Sequence, residues 1–324
     1  MSPAAASRLG WYVRRTASSI VGVVAGSRHQ TEGGPGQRPS RFTEAGITLL
    51  RTSGANEIWC RCDGGPHEYR GIAAHAPVDA LSVEVRYAGV DILAGPCIFS
   101  NFSNHGERAR RSYSRSTIGN NTAELDGRSQ SGEGGPFIRV RHAHTREIEV
   151  LDDGDIARWT AEHEGDASLD PPALHRRSVL LDRASRSIDI VDQIDGCSHD
   201  IRLAFRLGPD VQAELEELCA VLNWPTVSTP GAARLELPPG LRWSLHQGET
   251  DPILGRYFSA AGRRVPAVTL LGCGRFVPGM LLIARLEFLD VGKSGKSAVS
   301  RQAISWTSAA ALSDGAPEIQ AEAR

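Results

Sequence analysis

From Ile47 to Phe288 the chain returns again and again to one pattern, short runs of alternating apolar and polar residues closed off by glycine, proline, asparagine or aspartate. Side chains in a strand point alternately to opposite faces, so a period of two marks a sheet with one face in a core and the other in water. Ser187 to Asp192 carries the pattern well: Ile188 and Ile190 fall on one face, and Asp189 is expected on the other, toward solvent. Similar runs span Ile47 to Arg51, Glu57 to Cys62, Ala80 to Tyr87, Phe137 to Leu151, Ile156 to His163, Arg177 to Leu181, Ile201 to Leu207 and Leu281 to Phe288. Only Val211 to Leu222 reads clearly as a helix. The 34 glycines and 18 prolines among 324 residues suit this turn-rich rhythm and disfavour a helical bundle, whose helices they would break. The expected fold class is therefore all-β, a large antiparallel β-sandwich preceded by a short N-terminal helical segment.

The punctuation also suggests boundaries. Residues 1–27 have room for one short helix, and Ser27 to Ser40 is rich in glycine and proline, so 1–40 reads as an N-terminal segment and linker. The sandwich is expected over 41–292. Residues 293–324, rich in Ser, Ala, Gly and Lys, read as a flexible tail in which Ala303 to Thr307 has the composition of an added edge strand. Lys plus Arg total 36 against 38 Asp plus Glu, a net charge of -2, so there is no overall basic field and nucleic acid is not expected as a partner. No segment approaches the ~18 to 20 apolar residues of a membrane span. Arg14 and Arg15 before Ala17 to Ala25 loosely resemble an export signal without a clear cleavage site, so the residues leave the compartment open. The six cysteines have no CxxC spacing, and Cys60 and Cys62 fall on one strand face as two packed thiols.

Two passages resemble a known family. Gly71 to Ser82, with His75, Pro77, Asp79 and Leu81, followed by a strand and by Leu93-Ala94-Gly95-Pro96, is similar to the HGHAD-ALS…LLVDPG passage of the heparinase II/III-like C-terminal domain. Tyr113-Ser114-Arg115-Ser116-Thr117, Asn120-Asn121-Thr122 and Leu125-Asp126-Gly127 through Gln130-Ser131 resemble that family's YFRSTRAHNT…VDGxDQS. Weaker similarity runs from about Phe42 to Asp290. The resemblance implies a β-sandwich that follows an N-terminal α/α toroid, and polysaccharide lyases that cleave uronate polymers by elimination.

The departures are as informative as the matches. The resemblance implies a zinc ion held through three positions that here are Pro77, Gly95 and Asn120, and neither Pro nor Gly has a side chain that can coordinate it. No metal or other cofactor is therefore expected. Only about 40 residues precede the expected sandwich, too few for a toroid of helical hairpins.

Elimination at a uronate requires neutralisation of the carboxylate, a base for the C5 proton and an acid for the leaving oxygen. By resemblance His75 and Tyr113 are the catalytic candidates. Arg108, Arg110, Arg111 and Arg115, on a loop that lines the family's cleft, together with Asn120, are the candidates to hold the anionic substrate. Asn120 to Thr122 also reads as a structural run, and Asp126-Gly127 as a turn. His142 and His144 would share a face of an exposed strand. The resulting expectation is a lyase-related protein that acts on, or binds, uronate-containing polysaccharide. A metal-free module that binds glycan or a partner protein without cleavage, or a fragment lacking its toroid, is the alternative. The implied partners are an anionic polysaccharide and a separate toroid chain, and glycan processing points to the periplasm or cell envelope, with the cytoplasm left open.

Overall fold

The computed structural model describes residues 39–65, 78–95, 105–135, 138–141, 143–225, 230–258 and 264–289. The expected N-terminal helix, Ala303 to Thr307, His75 and Pro77 lie outside them.

Three antiparallel sheets carry the fold. The first runs in sequence order through β1 (Arg41–Phe42), β2 (Ile47–Arg51), β3 (Ile58–Asp63), β4 (Val83–Tyr87) and β5 (Val90–Leu93). A second, of four strands, is ordered β17 (Leu241–Gln247), β20 (Val268–Phe276), β13 (His199–Arg206) and β6 (Ala123–Leu125). Leu93 bridges to Leu207, and the Ala94 and Gly208 amides donate to Arg206 O (2.9 Å) and Ile92 O (3.1 Å), joining these two sheets into one layer. Opposite lies an eight-stranded sheet: β14 (Gln212–Glu216), β15 (Cys219–Trp224), β16 (Gly231–Glu236), β21 (Leu281–Leu289), β12 (Ser187–Gly196), β11 (Ala173–Asp182), β10 (Ile156–His163) and β9 (Thr145–Asp152). Two short hairpins, β7 (Gly132–Gly135) with β8 (Ile138–Arg141) and β18 (Arg256–Phe258) with β19 (Arg264–Pro266), complete the strands, and α1 (His105–Arg115) is the one α-helix among the described residues.

The alternation explains the core. Ile58, Cys60 and Cys62 of β3, Val83 and Val85 of β4, Ala157, Trp159 and Ala161 of β10, and Val179 and Leu181 of β11 share one buried cluster with Leu203 and Phe205 of β13. Tyr87 stacks on Phe288 across the layers at 4.9 Å, and burying each such side chain stabilises the fold by roughly 1.5 to 3 kcal/mol. Cys60 and Cys62 point into this core with sulfurs 3.9 Å apart, and burial pushes the Cys62 thiol up.

Four local expectations require correction. Val211 to Leu222 is the β14–β15 hairpin, in register from Gln212↔Asn223 to Glu216↔Cys219. Its Glu, Leu and Ala favour helix intrinsically, but burial follows period two: Ala220, Leu222 and Trp224 face the core while Gln212, Glu214 and Glu216 are exposed. Asp189 does not meet water; it is 5% exposed because β12 is a central strand and Arg285, opposite it on β21, lies over it at 3.6 Å. The arginine-rich segment expected as a loop is helical from His105 to Arg115. Finally, the run to Leu151 divides into β8 and β9, leaving His144 exposed between strands, with His142 outside the described residues.

Candidate functional site

The segment between α1 and β6 is held by buried hydrogen bonds. Asn120 donates through its amide to Val78 O (3.1 Å) and Ser116 O (2.8 Å). Asn121 donates to Val83 O (2.9 Å) and Ala94 O (3.2 Å) and accepts from the Arg206 amide (2.6 Å). The Thr122 hydroxyl donates to Ala80 O at 3.0 Å. These three side chains tie the segment to the residues flanking β4 and β5, doing for irregular backbone what a ladder does for strands. Asp126 and Gly127 form the turn that follows, both at positive φ, and the Asp126 carboxylate accepts from His199 Nδ1 (2.7 Å) and the Asp200 amide (2.9 Å). Asp126-Gly127 is thus structural.

Beneath this segment lies a polar network on the core face of the eight-stranded sheet. Arg177 of β11 and Asp192 of β12 are direct register partners, paired through Nε (2.7 Å) and Nη2 (2.8 Å), while Nη1 donates to Leu81 O and Asn121 O. His175 Nε2 lies 2.6 Å from Asp192 Oδ1, His163 Nε2 is 3.1 Å from His175 Nδ1, and Gly165 N donates to His163 Nδ1. The Gly165 amide donating to Nδ1 puts the His163 proton on Nε2, which lies between His175 Nδ1 and the Gln130 side-chain amide, and His175 protonated on Nε2 donates to Asp192. Burial alone would raise the Asp192 carboxyl, but Arg177 holds it well below the usual carboxylate range, and burial depresses the His175 imidazole. Asp166, whose Oδ2 makes no hydrogen bond among the described residues, is pushed by burial up to about 7. The network is closed to solvent, so it positions the segment above and does not itself meet a ligand. Its sequence signal is phase: His175 and Arg177 share the buried face of Val179 and Leu181.

Along α1 the candidate arginines divide. Arg108 is exposed and Arg110 half-buried, whereas Arg111 and Arg115 are buried, one turn apart on the packed side. Tyr113 is 8% exposed and packs with Ala204, Leu254, Phe258 and Leu271, its ring 5.7 Å from the Arg206 guanidinium. Its hydroxyl makes no hydrogen bond among the described residues. Arg115 O accepts from the amide of Val78, the third residue after His75 in the chain.

A second ionic cluster surrounds Arg61 of β3, which pairs with Asp63 and with Glu84 Oε1 (3.3 Å). Burial opposes the Arg61 charge, but Asp63 and Glu84 more than offset it and raise the guanidinium above its ordinary value. Asp79 is driven well above the carboxylate range by burial and by Asp63. Gly95 abuts this cluster, and a Cβ there would fall well inside contact distance of Glu84 Oε1.

With this geometry established, likeness to known proteins becomes informative. The family described as heparinase II/III-like, C-terminal, matches residues 34–307, most of the chain. The chain belongs to that family. No curated protein matches it in sequence. Among solved structures, the heparan sulfate lyase HepC from Pedobacter heparinus aligns with TM-score 0.61 and 15% identity over 86% of this chain and 41% of its own length. A structure described as heparinase III aligns with TM-score 0.59 and 14% identity over 76% of this chain and 36% of its own. At these identities the likeness shows the shared fold, and the chain spans about two fifths or less of the lyases it matches.

Within this heparinase-like frame the zinc positions do not fit the ion. Gly95 offers no ligand, and the space its side chain would need is filled by Glu84. Asn120 commits its amide group to two backbone carbonyls, and an amide is not among the Cys, His, Asp and Glu donors that zinc takes. Among the described residues no group of three or more His, Cys, Asp or Glu side chains converges as a metal site. No described helix is long and apolar enough to cross a membrane.

Proposed function

We propose that this heparinase II/III-like sandwich handles uronate-containing anionic polysaccharide, with His75 and Tyr113 as the proton carriers of an eliminative lyase. The observation that carries the reading is the match of residues 34–307 to the heparinase II/III-like C-terminal family, in which Tyr113 stands on the helix that bears Arg108 and Arg110, its hydroxyl without a hydrogen bond among the described residues. In β-elimination the C5–H bond breaks and its proton passes to the base. The C4–O bond breaks, the leaving oxygen takes a proton from the acid, and a C4–C5 double bond forms. Arg108 and Arg110 reach solvent and would meet the substrate carboxylates, while the buried Arg111, Arg115 and Asn120 act as positioning residues.

The mismatch at Gly95 and Asn120 favours a second reading, in which the sandwich binds glycan without zinc and a toroid on another chain or segment completes the active site. Metal analysis after dialysis is expected to give no stoichiometric zinc; one zinc per chain would refute the metal-free assignment. The product's unsaturated uronate absorbs in the ultraviolet, so alginate, heparan sulfate and glucuronan can be assayed with the full chain, His75→Ala and Tyr113→Phe. Because each acid or base contributes ~100 to 10,000-fold, the chain alone is expected to bind with little turnover. Robust turnover lost in both variants would establish catalysis by the sandwich itself, and absence of any glycan binding would sink both readings. Under this reading the protein works in the periplasm or cell envelope, with the cytoplasm as the alternative, and fractionation of cells tests which.

A further inference from the structure

On the solvent side of α1 lies a cavity of about 310 Å³, lined by Ser112, Ser116, Arg128, Ser129, Ser131, Gly132 and Arg141. Its volume is at the small end for ligand pockets, room for one compact polar group and little more. Two of the lining residues are arginines, four are serines and none is acidic. Arg128 is exposed and forms no ion pair among the described residues. Arg141 is anchored from behind: Nη1 donates to Gly165 O (2.9 Å) and to Ser168 Oγ, and Nη2 donates to Ser129 O (2.9 Å). That uses three of the five guanidinium hydrogens. Ser129 Oγ accepts from the Thr117 amide (3.3 Å) and Ser131 Oγ from the Ala143 amide (3.1 Å), so each hydroxyl keeps its hydrogen to donate. Between them Gln130 turns the other way, into the core, where its amide lies 2.9 Å from His163 Nε2. Half-buried Ser129 and buried Ser131 line the cavity on either side of Gln130, whose hold on the buried network fixes these donors before a ligand arrives.

We infer that this cavity is an oxyanion subsite that receives the carboxylate or sulfate of a single sugar unit. Arg128 and Arg141 supply charge, and Ser129 and Ser131 supply directed hydrogens. The oxyanion preference is read from the lining; the sugar that carries it rests on the glycan reading above. Arg108 stands one helical turn from Ser112 on the exposed side of α1, so a chain seated in the subsite continues past it.

The test is calorimetric titration of the full chain with sodium sulfate, glucuronate, neutral glucose, heparan sulfate and alginate, repeated on Arg128→Ala, Arg128→Lys and, as a control outside the lining, Arg275→Ala. Sulfate or glucuronate is expected to bind saturably and glucose not at all. Arg128→Ala should weaken the anion roughly tenfold or more, Arg128→Lys less, and Arg275→Ala little. The stronger of sulfate and glucuronate identifies the group the subsite takes. Anion binding unchanged in Arg128→Ala, or no binding of either small anion, overturns the subsite even if polymers bind. Small-anion binding that depends on Arg128 while neither polymer binds keeps the subsite and overturns the glycan reading. Arg128 is exposed, so its variants fold, and an unchanged melting temperature confirms it.

Discussion

Arg177 and Arg128 are the same residue type in opposite circumstances. Arg177 lies in the core with both Asp192 oxygens and two carbonyls around it, four of its five N–H donors matched. Arg128 stands at the cavity rim with no ion pair among the described residues. A buried guanidinium without partners would cost several kcal/mol, so the fold supplies them, whereas at the rim water carries that cost until a ligand arrives. Matched charge in this protein builds architecture, and the proposed subsite stands where a charge is left unmatched among the described residues.

The strongest way to break that contrast is Asp192→Ala, which leaves Arg177 and His175 buried beside a void. A loss of about 3 to 5 kcal/mol is expected by chemical denaturation, against less than about 0.5 kcal/mol for Arg128→Ala. Equal losses would erase the distinction. Next in size is Asp166→Asn. Because burial raises the Asp166 pKa to about 7, the native state holds a proton that the unfolded chain releases near pH 4, so this group's contribution to stability falls as pH rises from about 4 to 7. His175, depressed by burial, works the opposite way, losing stability as pH drops below about 6.5. The Asn variant should come closest to wild type near pH 4 and exceed it by a few kcal/mol near pH 8. A variant no more stable at pH 8 would mean that Asp166 has a partner for its charge.

A smaller loss, about 1 to 3 kcal/mol in melting experiments, is expected for Gly95→Asp, since the new side chain meets the Glu84 carboxylate. Stabilisation of that variant by added zinc would show that the cluster can open into a metal site. The smallest effect is on Arg108→Ala, expected to weaken heparan sulfate binding roughly twofold to fivefold at low salt and negligibly at high salt. A loss that persists at high salt would place Arg108 among the buried, matched kind.

The sandwich was legible because apolar alternation survives in nearly every strand, and Ile47 to Arg51 and Ile156 to His163 keep their expected bounds. Legibility failed where tertiary context outweighed local preference. Asp189 has the polarity of a solvent residue, but its position on β12, between β11 and β21, was not written in its own run. Helix α1 was hidden because its polar run, HGERARRSYSR, has few apolar residues to mark a period. At the candidate site the motifs covered Tyr113, Asn120 and Ser131, yet not Arg141, which the β7–β8 pairing brings to the cavity opposite Gly132.

The glutamates that give β14 the look of a helix have a further consequence. As the end strand of the eight-stranded sheet, β14 has one neighbour among the described residues, β15, and an edge of this kind is the usual starting point for one chain to add itself to another. Symmetric antiparallel docking of two copies about Glu214 would set that residue against its own duplicate and place each Gln212 opposite a Glu216. Carboxylates facing one another across a strand pair repel. The residues least suited to a strand by propensity are therefore the ones whose charge opposes pairing of two copies at this edge.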